Sequence, residues 1–379
     1  MILGIFSTLF GCKGDGKPGL FSSMGYHVSK NKVWYKQSAS GYEFYRVSEV
    51  LGADPGSFRV EVLKSPGNAS DSLTVGLDKK AVFLFGSLLE GADPRTFEYI
   101  EMGYAKDKEA VYFLDQRISQ EPDQFSVLDQ RFGKDARHIY AGSNIISDDP
   151  QHFARVGAET SLYYKDRERC WYEYKEIEGA DAATFQVIDE QTAADAKQVF
   201  FMQELIEGAN PASFRRISGD YYRDTTQVFY QGRLLEGADV ASFREVSPEV
   251  FADKKGVFLR SFHIIGADPA TFKMLNDYYG MDAKRCYYSG IVLAGADPLT
   301  FEVLGDRYAK DARQVFYNHN PIKGADPATF KVLNEIAGCS RDARYAYAAD
   351  DRIKNVDPNT FPTDKECVSC DEDGVVFGN

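Results

Sequence analysis

Cys367-Val368-Ser369-Cys370, with Asp371, Glu372 and Asp373 behind it, is the one closely spaced pair of cysteines in the chain. A C-x-x-C pair can supply half of a zinc site or a redox dithiol. Structural zinc needs two further ligands, and the only cysteine near in sequence is Cys339; a thioredoxin-like dithiol needs a βαβ setting that the surrounding sequence does not offer. Residues 362–379 are therefore expected to be an acidic C-terminal tail. Gly14-Asp15-Gly16-Lys17-Pro18-Gly19 matches the dinucleotide fingerprint letter for letter, but that fingerprint must open a helix, and Pro18 opposes one. Residues 1–29 read as a leader. The five histidines, His27, His138, His152, His263 and His319, form no close pair, so no metal and no cofactor is expected. Asp239, Asp268, Asp297 and Asp326 recur like a calcium ladder, yet calcium takes six to eight oxygens, and helix-capping explains the same aspartates. The adjacent pairs Asp148 and Asp149, and Asp350 and Asp351, are the carboxylates on which a glycan or peptidoglycan hydrolase could be built. Neighbours in a strand point to opposite faces, which weakens that chemistry.

The elements that would hold such residues are set by repetition. Phe185, Phe214, Phe243, Phe272, Phe301 and Phe330 recur every 29 residues, and Phe58, Phe97, Phe125, Phe153 and Phe361 extend the series to about eleven copies. Each ends a segment like Gly324-Ala325-Asp326-Pro327-Ala328-Thr329-Phe330. The Asp can cap a single helical turn, with Pro at its first position. A second landmark is an Asp followed by a β-prone triplet, as in Asp224 with Val228-Phe229-Tyr230 and Asp311 with Val315-Phe316-Tyr317. This reads as a turn closed by the Asp side chain and feeding a short strand. One repeat cannot bury both its faces, so neighbours must do so. The expected fold is an all-β tandem repeat over residues 30–361, a solenoid-like stack of short-stranded repeats with one helical turn each. A β-propeller-like closed array is the alternative. Cys170 and Cys286 stand where sister repeats carry Val or Ile and read as small, reduced core residues.

Composition narrows the function classes. With 57 acidic against 44 basic residues the net charge is −13, which repels nucleic acid. No apolar run reaches the length of a membrane span. Leu9-Phe10-Gly11-Cys12 loosely resembles a lipobox, so a lipid anchor at Cys12 stands as an alternative that the short, Lys- and Arg-free start does not favour. A cytoplasmic protein is expected, with an exported lipoprotein as the alternative.

The paired motifs, with Asp107-Lys108-Glu109-Ala110-Val111-Tyr112-Phe113 as the example, resemble the bacterial DKNYY repeat family from about Lys30 to Phe361. That resemblance implies a bacterial source and a companion or binding role. Residues common to all copies are accounted for by folding, so function is expected where copies differ: the ten-residue excess around residues 64–71, a smaller one near residues 159–165, and the turn after each β triplet. Aligned turns would present Arg233, Arg260, His263 and His319 along one edge to a protein partner. The expected function is a non-enzymatic macromolecule-binding repeat protein, with inhibition of a bacterial toxin (an immunity protein) as its specific form. The alternatives are the carboxylate hydrolase and a lipid-anchored envelope structural protein.

Overall fold

The computed structural model of the chain describes residues 16–19, 22–38, 45–264, 266–362 and 365–378. Cys12, and with it the lipid-anchor expectation, lies outside the described residues, as do Gly14 and Asp15. The fold is an all-β tandem repeat. Ten open four-stranded sheets, each an antiparallel meander in sequence order, follow a three-stranded sheet and precede a two-stranded hairpin. The chain divides into two compact units, Met1–Phe185 and Gln186–Asn379, both built from the same repeat. The first unit begins its sheet at Gly25–Val28, inside the segment expected as leader. The expected acidic tail is also corrected: Cys367–Asp371 and Gly374–Phe377 pair as a hairpin.

One repeat shows how the sequence produces the meander. Lys273–Met274, Tyr279–Met281, Cys286–Tyr288 and Ile291–Val292 are its first to fourth strands, paired in that order. The third strand carries the β triplet. Its first residue (Val228, Val257, Cys286, Val315) and its second (Phe229, Phe258, Tyr287, Phe316) are all at most 1% exposed. Consecutive strand residues face opposite ways, so both faces of these sheets are covered, and within the second unit adjoining repeats cover them. Cys170 and Cys286 occupy the first of these positions, fully buried and unbridged; burial pushes the Cys286 thiol up to about 12.

The Gly-Ala-Asp-Pro segment differs from expectation. A 3-10 turn forms at Pro122–Gln124 and Pro358–Thr360, but elsewhere the segment is a single tight turn, with Thr271 N donating to Asp268 O at 3.2 Å. The Asp still caps it: Asp268 Oδ1 accepts from Ala270 N and Oδ2 from Thr271 Oγ1. A Phe pulled into the core at the third residue after the Pro ends the turn before a helix can propagate.

That Phe joins two repeats. Phe243 packs on Phe258 of its own repeat at 5.6 Å between ring centroids and on Tyr221 of the preceding one at 6.0 Å. Phe301 does the same between Phe316 and Tyr279. The facing second-strand residue adapts to it: Tyr222 stacks flat on Phe214, whereas Gly280 leaves room for Phe272, whose Cζ would lie 2.8 Å from a Cβ there. Truncating the buried Phe272 to Ala is expected to cost about 3–5 kcal/mol, as for other buried Phe side chains, and truncating the half-buried Phe301 to cost less. Denaturant unfolding of each variant checks this; a midpoint equal to that of the parent would remove the Phe from the core.

Candidate functional site

The repeat has two ends, and they differ in kind. One holds the turn between the second and third strands, where the Asp of the second landmark sits. Ten such aspartates, from Asp78 to Asp342, are each at most 6% exposed. Asp282 shows the arrangement. Its Oδ1 accepts from Lys284 N and Arg285 N at 2.7 and 2.8 Å, and its Oδ2 from Asp268 N at 3.0 Å and Tyr287 Oη at 2.7 Å. The same set recurs at Asp107 and Asp342. At Asp135 and Asp166 a hydroxyl, from Ser119 or Ser147, donates to Oδ2. The Thr of the capped turn closes the circuit, its Oγ1 accepting from the residue after the buried Asp, as Thr271 does from Ala283 N. Burial pushes the Asp282 carboxyl up, but the phenol and backbone donors outweigh it and leave the carboxyl below 3.8; Asp107 and Asp342 follow the same balance. This end is saturated with its own hydrogen bonds.

The opposite end gathers the turn between the first and second strands and the turn between the third and fourth. They are tied in most repeats by one backbone bond, as from Gln231 N to Asp220 O and from Ser289 N to Tyr278 O. The donor residue has positive φ, 47° at Gln231, 54° at Arg260 and 54° at Asn318, so the tight turn accommodates many side chains while its backbone stays fixed.

All four residues singled out from the sequence lie in this hairpin, in three repeats of the second unit. Arg233 opens the fourth strand Arg233–Leu234 opposite Tyr230. Arg260 sits in the next repeat's turn, its guanidinium 2.9 Å from Glu249 Oε2. His263, in the fourth strand of that repeat, stacks on Phe258 at 4.9 Å. His319 follows Asn318 in the turn two repeats further on. All four are exposed. No hydrogen bond or ring contact joins any two of them among the described residues, so they share an edge rather than form a cluster.

Sequence reasoning missed the apolar part of the same edge. Leu205, Leu234, Ile291 and Val292 are 42–51% exposed and Phe262 is 71% exposed, all on fourth strands. The signal was present in Leu205-Ile206, Leu234-Leu235 and Val292-Leu293: a strand turns only one of two adjacent side chains inward, and Ile206, Leu235 and Leu293 take that place. Between two of these repeats lies a half-open groove of about 690 Å³, lined among others by Glu249, Arg260, Phe262, Leu275 and Tyr278. The 64–71 excess forms a longer turn whose Asp71 accepts from Tyr99 Oη and Met102 N of the following repeat.

Among the described residues no three His, Cys, Asp or Glu side chains are grouped to hold a metal. No helix there is long and apolar enough to cross a membrane. The adjacent acids are tied to neighbours: Asp148 to Arg169 at 2.6 Å, Asp149 to His152 at 2.7 Å, and Asp350 to Asn320 at 3.0 Å.

The family model described as the DKNYY family matches residues 77–231, 214–262, 259–320 and 308–373. The chain belongs to the DKNYY family. No curated protein and no solved structure matches it.

The buried aspartates make stability acid-sensitive in a defined sense. Asp107, Asp282 and Asp342 have folded pKa values below 3.8, so at these positions the unfolded chain takes up protons first as pH falls, and their stabilisation, complete above the unfolded value, is lost below about pH 4. Melting temperature is expected to be level down to about pH 5 and to drop steeply beneath pH 4. Asp282→Asn, which turns an amide donor toward Asp268 N–H or the Tyr287 hydroxyl, is expected to cost at least about 2 kcal/mol at pH 7. Calorimetry across pH on both proteins measures this.

Proposed function

We propose that the chain is a non-enzymatic protein-binding repeat protein, whose partner rests on the edge formed by the hairpins of third and fourth strands. The observation that carries this is the row of exposed Leu205, Leu234, Phe262, Ile291 and Val292 on successive fourth strands. Exposed aliphatic and aromatic groups flanked by Arg and His are the composition of interface anchors, and apolar surface at one repeat position is costly to leave in water without a use. The hairpins that carry it are backbone-fixed while their side chains vary. The net charge of −13 suits a partner with a basic face. Inhibition of a bacterial toxin is the specific form this role takes in the proposal.

Hydrolysis is the less supported reading. A general acid needs a raised carboxyl pKa, whereas every carboxyl that is shifted among the described residues moves down, Asp149 among them through its hydrogen bond with His152.

The test is differential. Alanine at Arg233, Arg260, His263 and His319 together is expected to leave the fold intact, since exposed turn substitutions cost within about 0.5 kcal/mol each. Affinity for a partner captured from the native host is expected to fall at least tenfold, about 1.4 kcal/mol. Alanine at Lys197 and Lys284, exposed on the opposite end, is expected to leave affinity unchanged. Biolayer interferometry with the folded variants reads both; the reverse pattern places the partner on the other edge.

A further inference from the structure

The second strand of a repeat begins with the residue that reaches into the following repeat. Tyr221 Oη donates to Arg260 O at 2.7 Å, and Tyr279 Oη to Arg307 O at 2.8 Å; Tyr104 Oη accepts from Gly133 N and Gly142 N of its successor. These ties hold one sheet face against the next. In the sheet that closes with Asp351–Arg352 the same position is Cys339, fully buried, and the hairpin of Cys367–Asp371 and Gly374–Phe377 follows it, with Asp371 Oδ1 accepting from Asp373 N and Gly374 N as the landmark aspartates do. Cys339 is joined to Cys370 of that hairpin by a disulfide, with the Cα atoms 5.7 Å apart and a sequence separation of 31. Asn334 Nδ2 donates to Cys367 O at 2.8 Å, and the Phe361 and Phe377 rings lie 5.1 Å apart. The hairpin thus occupies the place of a further repeat, and a covalent bond stands where other repeats use a phenol.

We propose that residues 365–378 are a redox-closed cap on the face of the preceding sheet. A sheet that is apolar on both faces needs a neighbour on each, and two short strands bury too little to stay docked unaided. The disulfide supplies the missing hold. A small external dithiol opens it: one thiolate attacks a sulfur of the Cys339–Cys370 bond, its second thiol resolves the mixed disulfide, both protein sulfurs end as thiols, and the reductant leaves as a cyclic disulfide. Cys367 does not substitute for that reagent. It is buried and free, and burial raises its thiol above the ordinary value, so little thiolate forms at neutral pH. The cap is closed in an oxidising compartment and open in a reducing one.

The experiment uses the full-length, air-oxidised protein. Alkylation after unfolding without reductant is expected to label four of the six cysteines, and peptide mapping to find Cys339 and Cys370 as the linked pair; reductant exposes all six. Amide exchange in residues 339–353 of the folded protein is expected to rise at least tenfold on reduction. The Cys367→Ser protein is expected to keep the slow, oxidised pattern until it too is reduced. Six labelled cysteines without reductant, a link through Cys367, or exchange unchanged by reduction would each overturn the proposal. The reduction arm needs no substitution, so it reads the cap even where a cysteine variant fails to fold.

Discussion

A buried carboxylate, repeated ten times, is the interaction on which each meander depends. Burying an aspartate is costly unless its charge is fully met, and here backbone N–H groups meet it, joined at several copies by a phenol or serine hydroxyl. Each of these groups needs an acceptor of its own, so the Asp satisfies the turn it sits in and the turn that opens the repeat at the same time. It fixes where the first strand begins relative to the third. The capped turn, the hairpin and the inward Phe are positioned from that point.

Packing between repeats follows a different logic. The third strand is apolar on both faces, so a lone repeat would leave one face wet. Phe243, held between Phe258 and Tyr221, shows how two sheets share a ring. Variation is compensated locally: a flat aromatic pair at Tyr222, a glycine at position 280. At Gly280 the Phe272 ring and the Met274 sulfur stand where a side chain would begin, so a neighbour fills the room that a densely packed interior cannot leave empty. The ends of the sheets are free of that constraint, and the end without the Asp network carries the exposed apolar row.

Much of this was legible in the sequence because the repeat supplies its own control. The constant spacing of Phe185 to Phe330, the Asp and triplet landmarks, and the Val-to-Cys exchange at positions 170 and 286 all led to the observed strands and core. The helical turn was overestimated, because capping chemistry at Asp268 is local whereas the pull of Phe272 into the core is tertiary. The C-terminal segment was misread as a tail for a similar reason: Cys370 meets Cys339 only once the last sheet exists, and no local spacing announces that meeting. At the candidate edge the sequence drew attention to Arg233, Arg260, His263 and His319, while the apolar row was hidden within pairs such as Leu234-Leu235, where composition looks like core and only strand alternation separates the two residues.

The polar circuit of each repeat closes within that repeat: Asp282 reaches back to Asp268 N and forward to Tyr287, and neither bond leaves the 29-residue period. Ring contacts, the tyrosine ties and scattered side-chain bonds, such as Asn276 Nδ2 to Gly305 O, cross to the neighbour. Unequal recombination between two copies of the gene segment would therefore join half-circuits that complete each other, leaving no orphaned charge at the seam. The array can lengthen or shorten by whole repeats at small energetic cost, and each such event would add or remove one hairpin from the variable edge.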